Sequence, residues 1–193
     1  MRVIAGRYGG RRLQAPIGSQ VRPTSDRVKE AIFNILAGRL ENAIVLDMFA
    51  GTGNLGIEAL SRGAQKVVFI EQSQNSLRTI RSNLASLGIA AEDYQLIAGD
   101  AFKAIGRLRR LPERFDLVFV DPPYDKGFAE KALSTLAEAD VMQSGGLVIV
   151  ETASRETVPQ ALHFELLRQS VYGDTTVYFF AKVTAAAGPG QRS

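Results

Sequence analysis

The chain contains no cysteine, which excludes disulfides and thiolate metal sites. It contains one histidine, His163, too little for a histidine metal cluster and the only base from which a Ser-His-Asp triad could be built. His163 lies in Leu162-His163-Phe164-Glu165, far along the chain from the motifs below, and reads as a solvated or core-edge side chain. No metal is expected. No apolar stretch approaches the length of a membrane span. The opening Met1-Arg2-Val3-Ile4-Ala5-Gly6-Arg7 lacks the apolar core of a secretory signal. The expectation is a cytoplasmic protein without membrane contact.

Acidic charge is scarce in one region. Residues 1–39 carry eight basic side chains (Arg2, Arg7, Arg11, Arg12, Arg22, Arg27, Lys29, Arg39) against Asp26 and Glu30, a net +6. The remainder carries 15 basic and 18 acidic residues, a net −3. Seven of the eight N-terminal basic residues are arginine, the side chain suited to bidentate phosphate contacts and to stacking on bases. A nucleic acid is the expected partner, against the plainer reading of a solvated basic arm. The rest is ordinary: 193 residues, 46% hydrophobic and 22% charged, enough for one domain with a sizeable core.

The hydrophobic pattern predicts a short β-hairpin from Arg2–Ala5 and Arg11–Gln14 around Gly9-Gly10. After a loop from Ala15 to Pro23, Thr24 or Ser25 can cap a helix with Asp26 in its first turn. Val28, Ala31, Ile32, Ile35 and Leu36 form one apolar face on that helix, with Arg27 and Lys29 free to meet solvent or phosphate. From Ile44, strands at 44–46, 67–70, 94–98, 117–120 and 147–151 alternate with helices, and strands at 164–172 and 176–183 close the pattern. The alternation predicts an α/β fold: a doubly wound, mostly parallel, Rossmann-like sheet of seven strands with an antiparallel C-terminal hairpin. The organisation expected is a basic hairpin-and-helix extension over 1–39, the main domain over 40–183 and a disordered tail over 184–193.

Two motifs carry chemistry. In Val45-Leu46-Asp47-Met48-Phe49-Ala50-Gly51-Thr52-Gly53-Asn54-Leu55-Gly56, the three glycines fit GxGxxG between a strand and a helix. Such a loop allows close backbone approach to a ligand, and Glu71 at the next strand tip can accept ribose hydroxyls. Asp47 would repel a pyrophosphate but could hold an ammonium, directly or through water. Asp100 places an acceptor where an adenine amino group could reach it. Acids at four strand tips (Asp47, Glu71, Asp100, Asp121) suit a cofactor bearing an ammonium, a sulfonium and an adenine better than one bearing two phosphates. The alternative is that each caps the helix after it. The second motif, Asp121-Pro122-Pro123-Tyr124, follows an apolar strand. Its prolines stop the sheet and leave a carboxylate, carbonyls and an aromatic ring at the strand's carboxyl end, where open α/β sheets bind ligands. That set suits a planar base with an exocyclic amine.

These residues resemble a known family. Phe49-Ala50-Gly51-Thr52-Gly53 is similar to the cofactor loop of class I S-adenosylmethionine-dependent methyltransferases, and Asp121-Pro122-Pro123-Tyr124 to the motif of those that methylate amino or amide nitrogens. Arg22 to Leu36, Gly56-Ile57-Glu58-Ala59-Leu60-Ser61-Arg62-Gly63-Ala64 and the opening Arg2-Val3-Ile4-Ala5-Gly6, Gly10-Arg11-Arg12-Leu13 and Pro16 resemble the bacterial 16S ribosomal RNA guanine-N2 methyltransferases, over residues 2 to about 182. Thr52-Gly53-Asn54 stands where Ser-Gly-Ala is frequent, and Ser25 where threonine is usual. The resemblance implies S-adenosyl-L-methionine as cofactor, bound by Asp47, Phe49, Ala50, Gly51, Gly53, Glu71, Gln72, Asp100, Ala101 and Asp121. It implies catalysis by Asp121, Pro122, Pro123 and Tyr124. It implies a monomer acting on 16S rRNA of the small ribosomal subunit, with Arg7, Arg11, Arg12, Arg22, Arg27 and Lys29 on the RNA. Competing readings are an adenine-N6 or other amino-methyltransferase on DNA or RNA, a glutamine methyltransferase, a small dinucleotide oxidoreductase, and a non-catalytic RNA-binding module.

Overall fold

The computed structural model describes residues 1–15, 25–110, 112–123, 127–156, 158 and 163–183. The expectations for Arg22, Tyr124 and the tail from 184 lie outside these residues. In chain order the elements are α1 Asp26–Ile35, β1 Ile44–Asp47, α2 Asn54–Ser61, β2 Lys66–Glu71, α3 Gln74–Leu87, β3 Tyr94–Ala98, α4 Ala101–Leu108, β4 Phe115–Val120, α5 Phe128–Ala139, β5 Met142–Ala153, β6 Phe164–Tyr172 and β7 Thr175–Lys182. They form one seven-stranded sheet in the order β3-β2-β1-β4-β5-β7-β6. The first five strands pair in parallel, and β7 is antiparallel to both β5 and β6. The expected doubly wound sheet and closing hairpin are present.

The strand order explains where a ligand can bind. β1 has β2 on one side and β4 on the other, so the connections leave it in opposite directions and a crevice opens at its carboxyl end. Each face is covered by helices because side chains alternate along a strand. Val45 packs in one cluster with residues of α1, α2 and α3, whereas Leu46 packs in a second cluster with α4 and α5. Each fully buried Leu, Ile, Val or Phe contributes about 1.5–3 kcal/mol. β5 starts at Met142, five residues before the expected Leu147. Its pairing with β4 passes over a bulge between Phe115 and Leu117. Gly146 suits that irregularity, since a Cβ there would stand 3.0–3.1 Å from three carbonyl oxygens. β6 is an edge strand and exposes Leu166, Leu167 and Val171.

The N-terminal segment is a reduced hairpin, with a single antiparallel bridge between Arg2 and Arg12. Its reversal spans Gly6 to Gly10, and those two glycines, not Gly9, take positive φ. The segment is fastened by side chains of the helices beneath it. Glu58 accepts hydrogen bonds from the amides of Ile4 (2.7 Å) and Ala5 (3.1 Å). Ser61 accepts from the amide of Tyr8 (2.9 Å), and Asn83 from that of Gln14 (2.8 Å). Gly6 is required here, because a Cβ would lie 1.8 Å from the Ser61 carbonyl oxygen.

The helix after it corrects one expectation. Ser25 caps α1 by accepting from the Val28 amide, but the buried face is Val28, Lys29, Ile32, Phe33 and Leu36. Ala31 and Ile35 are only half-buried. Phe33 draws the face around, packing on Phe119 with centroids 5.5 Å apart. Lys29, four residues earlier and therefore above Phe33, is carried inside and is 0% exposed. It is not available to RNA. Its ammonium donates to the Arg2 carbonyl (2.6 Å) and Asn54 Oδ1 (2.7 Å) and pairs with Glu58 at 3.2 Å. Burial holds its pKa below the usual lysine value, with the Glu58 carboxylate opposing that shift.

Candidate cofactor and substrate site

The carboxyl ends of β1 to β4 bring the four acids to one edge of the sheet. Asp47 pairs in register with Phe69 and Phe119, and Glu71 with Ala98. Asp121 follows the last residue of β4, and Asp100 comes just before α4. The backbone past β1 is held at both sides: Met48 N donates to the Phe119 carbonyl, and Ala50 N to that of Ile70, each at 3.0 Å.

The glycine loop then turns through Gly51 and Gly53, both with positive φ. A Cβ on Gly51 would meet nothing nearer than the Phe49 carbonyl oxygen at 4.0 Å, so the backbone there is open to close approach. Gly56 does a different job. A Cβ there would fall 2.2 Å from the Phe69 ring, so glycine is what lets α2 pack on β2. Asn54 Nδ2, buried beside the loop, has no hydrogen-bond partner among the described residues.

The acids already carry structural bonds. Asp47, 2% exposed, accepts from the Gly56 amide at 3.0 Å. Burial pushes its carboxyl up to about 7, with the Gly56 hydrogen bond opposing and the Glu71 carboxylate adding to the rise. Glu71 accepts from the Gly51 amide at 2.8 Å and the Ser73 amide at 2.7 Å, bolting the glycine loop to the turn before α3. Each of its oxygens keeps a second lone pair for a hydroxyl. Asp100 accepts from the Lys103 amide at 2.9 Å and so does cap α4. The helix-capping alternative therefore holds for Asp100, and in part for Asp47, which lies on the strand behind α2 and accepts from a free first-turn amide of that helix.

Of the other expected cofactor residues, Ala50 and Ala101 are buried, Phe49 and Gly51 half-buried, and Gln72 exposed. Asp121 is half-buried, Pro122 buried and Pro123 exposed. Sequence reasoning named Phe49 but missed the aromatic group it forms beside this edge with Phe102 and Phe128. Phe49 and Phe128 stack with centroids 6.3 Å apart, and Phe102 meets both edge-on at 5.8 and 5.6 Å. Phe49 lies within the glycine-loop motif, Phe102 follows Ala101, and Phe128 is the first residue of α5. Among the described basic residues, Arg7, Arg11, Arg12 and Arg27 are exposed. A separate polar cleft of about 340 Å³, lined by Arg39, Asn42, Asp116 and Gly146, opens at the amino-terminal ends of β1 and β4, away from these groups. Among the described residues no helix is long and apolar enough to cross a membrane.

The family profile described as Conserved hypothetical protein 95 matches residues 1–181. The chain is 36% identical over 173 residues to the ribosomal RNA small subunit methyltransferase D of Haemophilus influenzae, covering 90% of this chain and 89% of that one. It is 32% identical to the protein of the same name in Escherichia coli, covering 94% and 90%. An Escherichia coli structure described as a candidate methyltransferase, yhhF, superposes with a TM-score of 0.82 at 32% identity, covering 95% and 98%. An RNA methyltransferase of Salinibacter ruber, crystallised with S-adenosyl-L-homocysteine, shares the fold with a TM-score of 0.62 at 17% identity, covering 86% and 97%.

Proposed function

The chain belongs to the family described as Conserved hypothetical protein 95, and from that premise we propose that it transfers a methyl group from S-adenosyl-L-methionine to the exocyclic N2 of a guanine in 16S rRNA. One observation carries the reading: a glycine loop open to close approach and the strand-tip acids Asp47, Glu71 and Asp121 share one sheet edge with the Asp121-Pro122-Pro123 turn. The names of the Haemophilus and Escherichia relatives support a ribosomal RNA of the small subunit as the substrate. The guanine and its N2 position rest on the motif resemblance.

The residues present fit this cofactor. Gly51 leaves room for a ligand against its backbone, Glu71 retains lone pairs for ribose hydroxyls, and Asp47 offers a negative charge to an ammonium. Phe49, Ala50, Gly53, Gln72, Asp100 and Ala101 complete the cofactor contacts, with Asp100 accepting from the adenine amine. When bound, S-adenosyl-L-methionine supplies an electrophilic methyl on a sulfonium.

A guanine N2 amine is a weak nucleophile because its lone pair is delocalised into the ring. The Asp121 carboxylate and the Pro122 carbonyl accept its two N–H bonds. That draws the nitrogen toward tetrahedral geometry and aims the lone pair at the methyl carbon. Pro123 keeps the turn rigid, and Tyr124 stacks on the base. With the cofactor bound, the N–C bond would form as the C–S bond breaks, a neutral thioether would leave, and the methylated nitrogen, now strongly acidic, would lose a proton to water, so that the protein contributes orientation and fixed electrostatics and no strong base is required. The base must be unpaired or flipped to reach the turn. Residues 1–39 grip flanking phosphates through Arg7, Arg11, Arg12, Arg22 and Arg27.

Methyl transfer should be assayed on unmodified small subunits, on naked 16S rRNA and on DNA. Transfer to guanine N2 in the ribosomal substrates is expected. Transfer only to adenine or DNA would replace the substrate in this reading. Asp121→Ala should lower turnover by at least a hundredfold with S-adenosyl-L-homocysteine affinity nearly unchanged; lost cofactor affinity at unchanged turnover would remove Asp121 from the catalytic role.

A further inference from the structure

Helix α3 has a charge pattern that neither the cofactor site nor the core explains. Residues 72–91 contain no acidic side chain, and their only charges are Arg78 and Arg81. Both arginines are exposed on a helix whose inner face is Ser76, Leu77, Ile80, Asn83, Leu84 and Leu87. Neither forms an ion pair among the described residues. Elsewhere on the surface, Arg2 lies 3.3 Å from Asp26 and Lys66 3.3 Å from Glu113. A solvated helix of 14 residues ordinarily mixes both signs, so two unneutralised guanidinia one turn apart present a positive surface.

The N-terminal segment docks on this same helix. Gln14 and Asn83 exchange two hydrogen bonds, Gln14 N to Asn83 Oδ1 at 2.8 Å and Asn83 Nδ2 to the Gln14 carbonyl at 3.2 Å. Ser82 Oγ donates to Gln14 Oε1 at 3.2 Å, and the Arg11 guanidinium donates to the Ser86 carbonyl at 2.8 Å. Arg78, Ser82 and Ser86 are four residues apart and so form one row along the helix. That row begins beside the arm, at Ser86, and runs toward Gln74 at the helix start, about 18 Å away at the α-helical rise. The start of α3 adjoins the cofactor edge, since Ser73 N is bonded to Glu71.

We infer that Arg78 and Arg81 extend the arm's basic surface into a continuous RNA-binding track, along which phosphates flanking the target nucleotide run from Arg11 and Arg12 to the cofactor edge. The inference rests on the reading that the substrate is RNA. The geometry makes α3 the bridge: its far end holds the arm and its near end flanks the glycine loop. Arginine is suited to this, because its fork can engage a phosphate bidentately.

The test compares Arg78→Gln/Arg81→Gln with Arg11→Gln/Arg12→Gln, measuring binding of naked 16S rRNA over a salt series and of S-adenosyl-L-homocysteine by calorimetry. The α3 pair should weaken RNA binding at low salt and flatten the slope of log K against log salt by about one to two units. Cofactor affinity and melting temperature should stay at wild-type values. An unchanged slope in the α3 pair beside a flattened slope in the arm pair overturns the track and leaves the RNA reading standing. No salt-dependent RNA binding by the wild type overturns both.

Discussion

Asp47 is the residue where burial and function pull against each other. Its carboxyl is raised from 3.8 to about 7, so between those values the folded protein holds a proton that the unfolded chain has released. Stability contributed by the neutral acid is therefore present below about pH 4, falls as pH rises, and is fully lost above about pH 7. Asp47→Asn should raise the melting temperature at pH 8 and change it little at pH 4, which a melting series across pH would check. A bound ammonium favours the ionised carboxyl, so affinity for S-adenosyl-L-homocysteine should increase as pH rises through about 7 in the wild type. The Asp47→Asn variant should lose that part of the increase. Identical profiles by calorimetry would take Asp47 out of the ammonium site. At this scale the strand-tip acids were legible because a charged residue closing an apolar run has few other reasons to be there. Their second bonds were not legible, because the Gly51, Gly56 and Ser73 amides that they accept from are placed by the tertiary turn. Lys29 was misread because charge normally marks the outer face of a helix. The signal that could have placed it is Phe33, a large apolar residue one turn further along.

Among elements, α2 carries more than its length of eight residues suggests. Its start follows the glycine loop, and its middle presents Glu58, 0% exposed, to four donors. These are the amides of Ile4 and Ala5, the Lys29 ammonium and the Arg62 guanidinium. A buried carboxylate with this many donors holds separate segments in one geometry. Glu58→Ala strands the Lys29 charge inside and leaves two amides unsatisfied, at a cost on the order of 3–5 kcal/mol. Urea unfolding should show that loss, and hydrogen exchange at Ile4 and Ala5 should accelerate. Wild-type stability would mean that water or another donor set replaces the carboxylate. Element boundaries were legible where local chemistry sets them: a serine and a glycine, Ser73 and Gly88, cap α3. The early start of β5 was not, because its bulge depends on the register against β4.

For the whole molecule, the arm and the sheet share one core. Val3 and Leu13 are buried in the same cluster as Ile57, Ile80 and Phe119. The arm presents its arginines to solvent while its apolar residues and amides are anchored below. Removing residues 1–14 uncovers the cluster that Val3 and Leu13 pack on, and takes from Glu58 its two amide donors and from Asn83 its two bonds to Gln14. The expected loss is about 3–6 kcal/mol and a fall in melting temperature on the order of 10 °C. An unchanged melting temperature by calorimetry would make the arm a tethered appendage. The sheet architecture was readable because alternation and strand-tip chemistry are local patterns. The docking of the arm was not, since its partners in α2 and α3 lie 53 to 75 residues away in the chain. That separation has a kinetic consequence. Residues 1–14 are synthesised before residues 58–83, so their amides wait, solvated and unpaired, until α2 and α3 have been made and packed. Arm docking is then a non-local step of folding, and a newly made chain sets its N-terminal arginines in place only once α2 and α3 have packed.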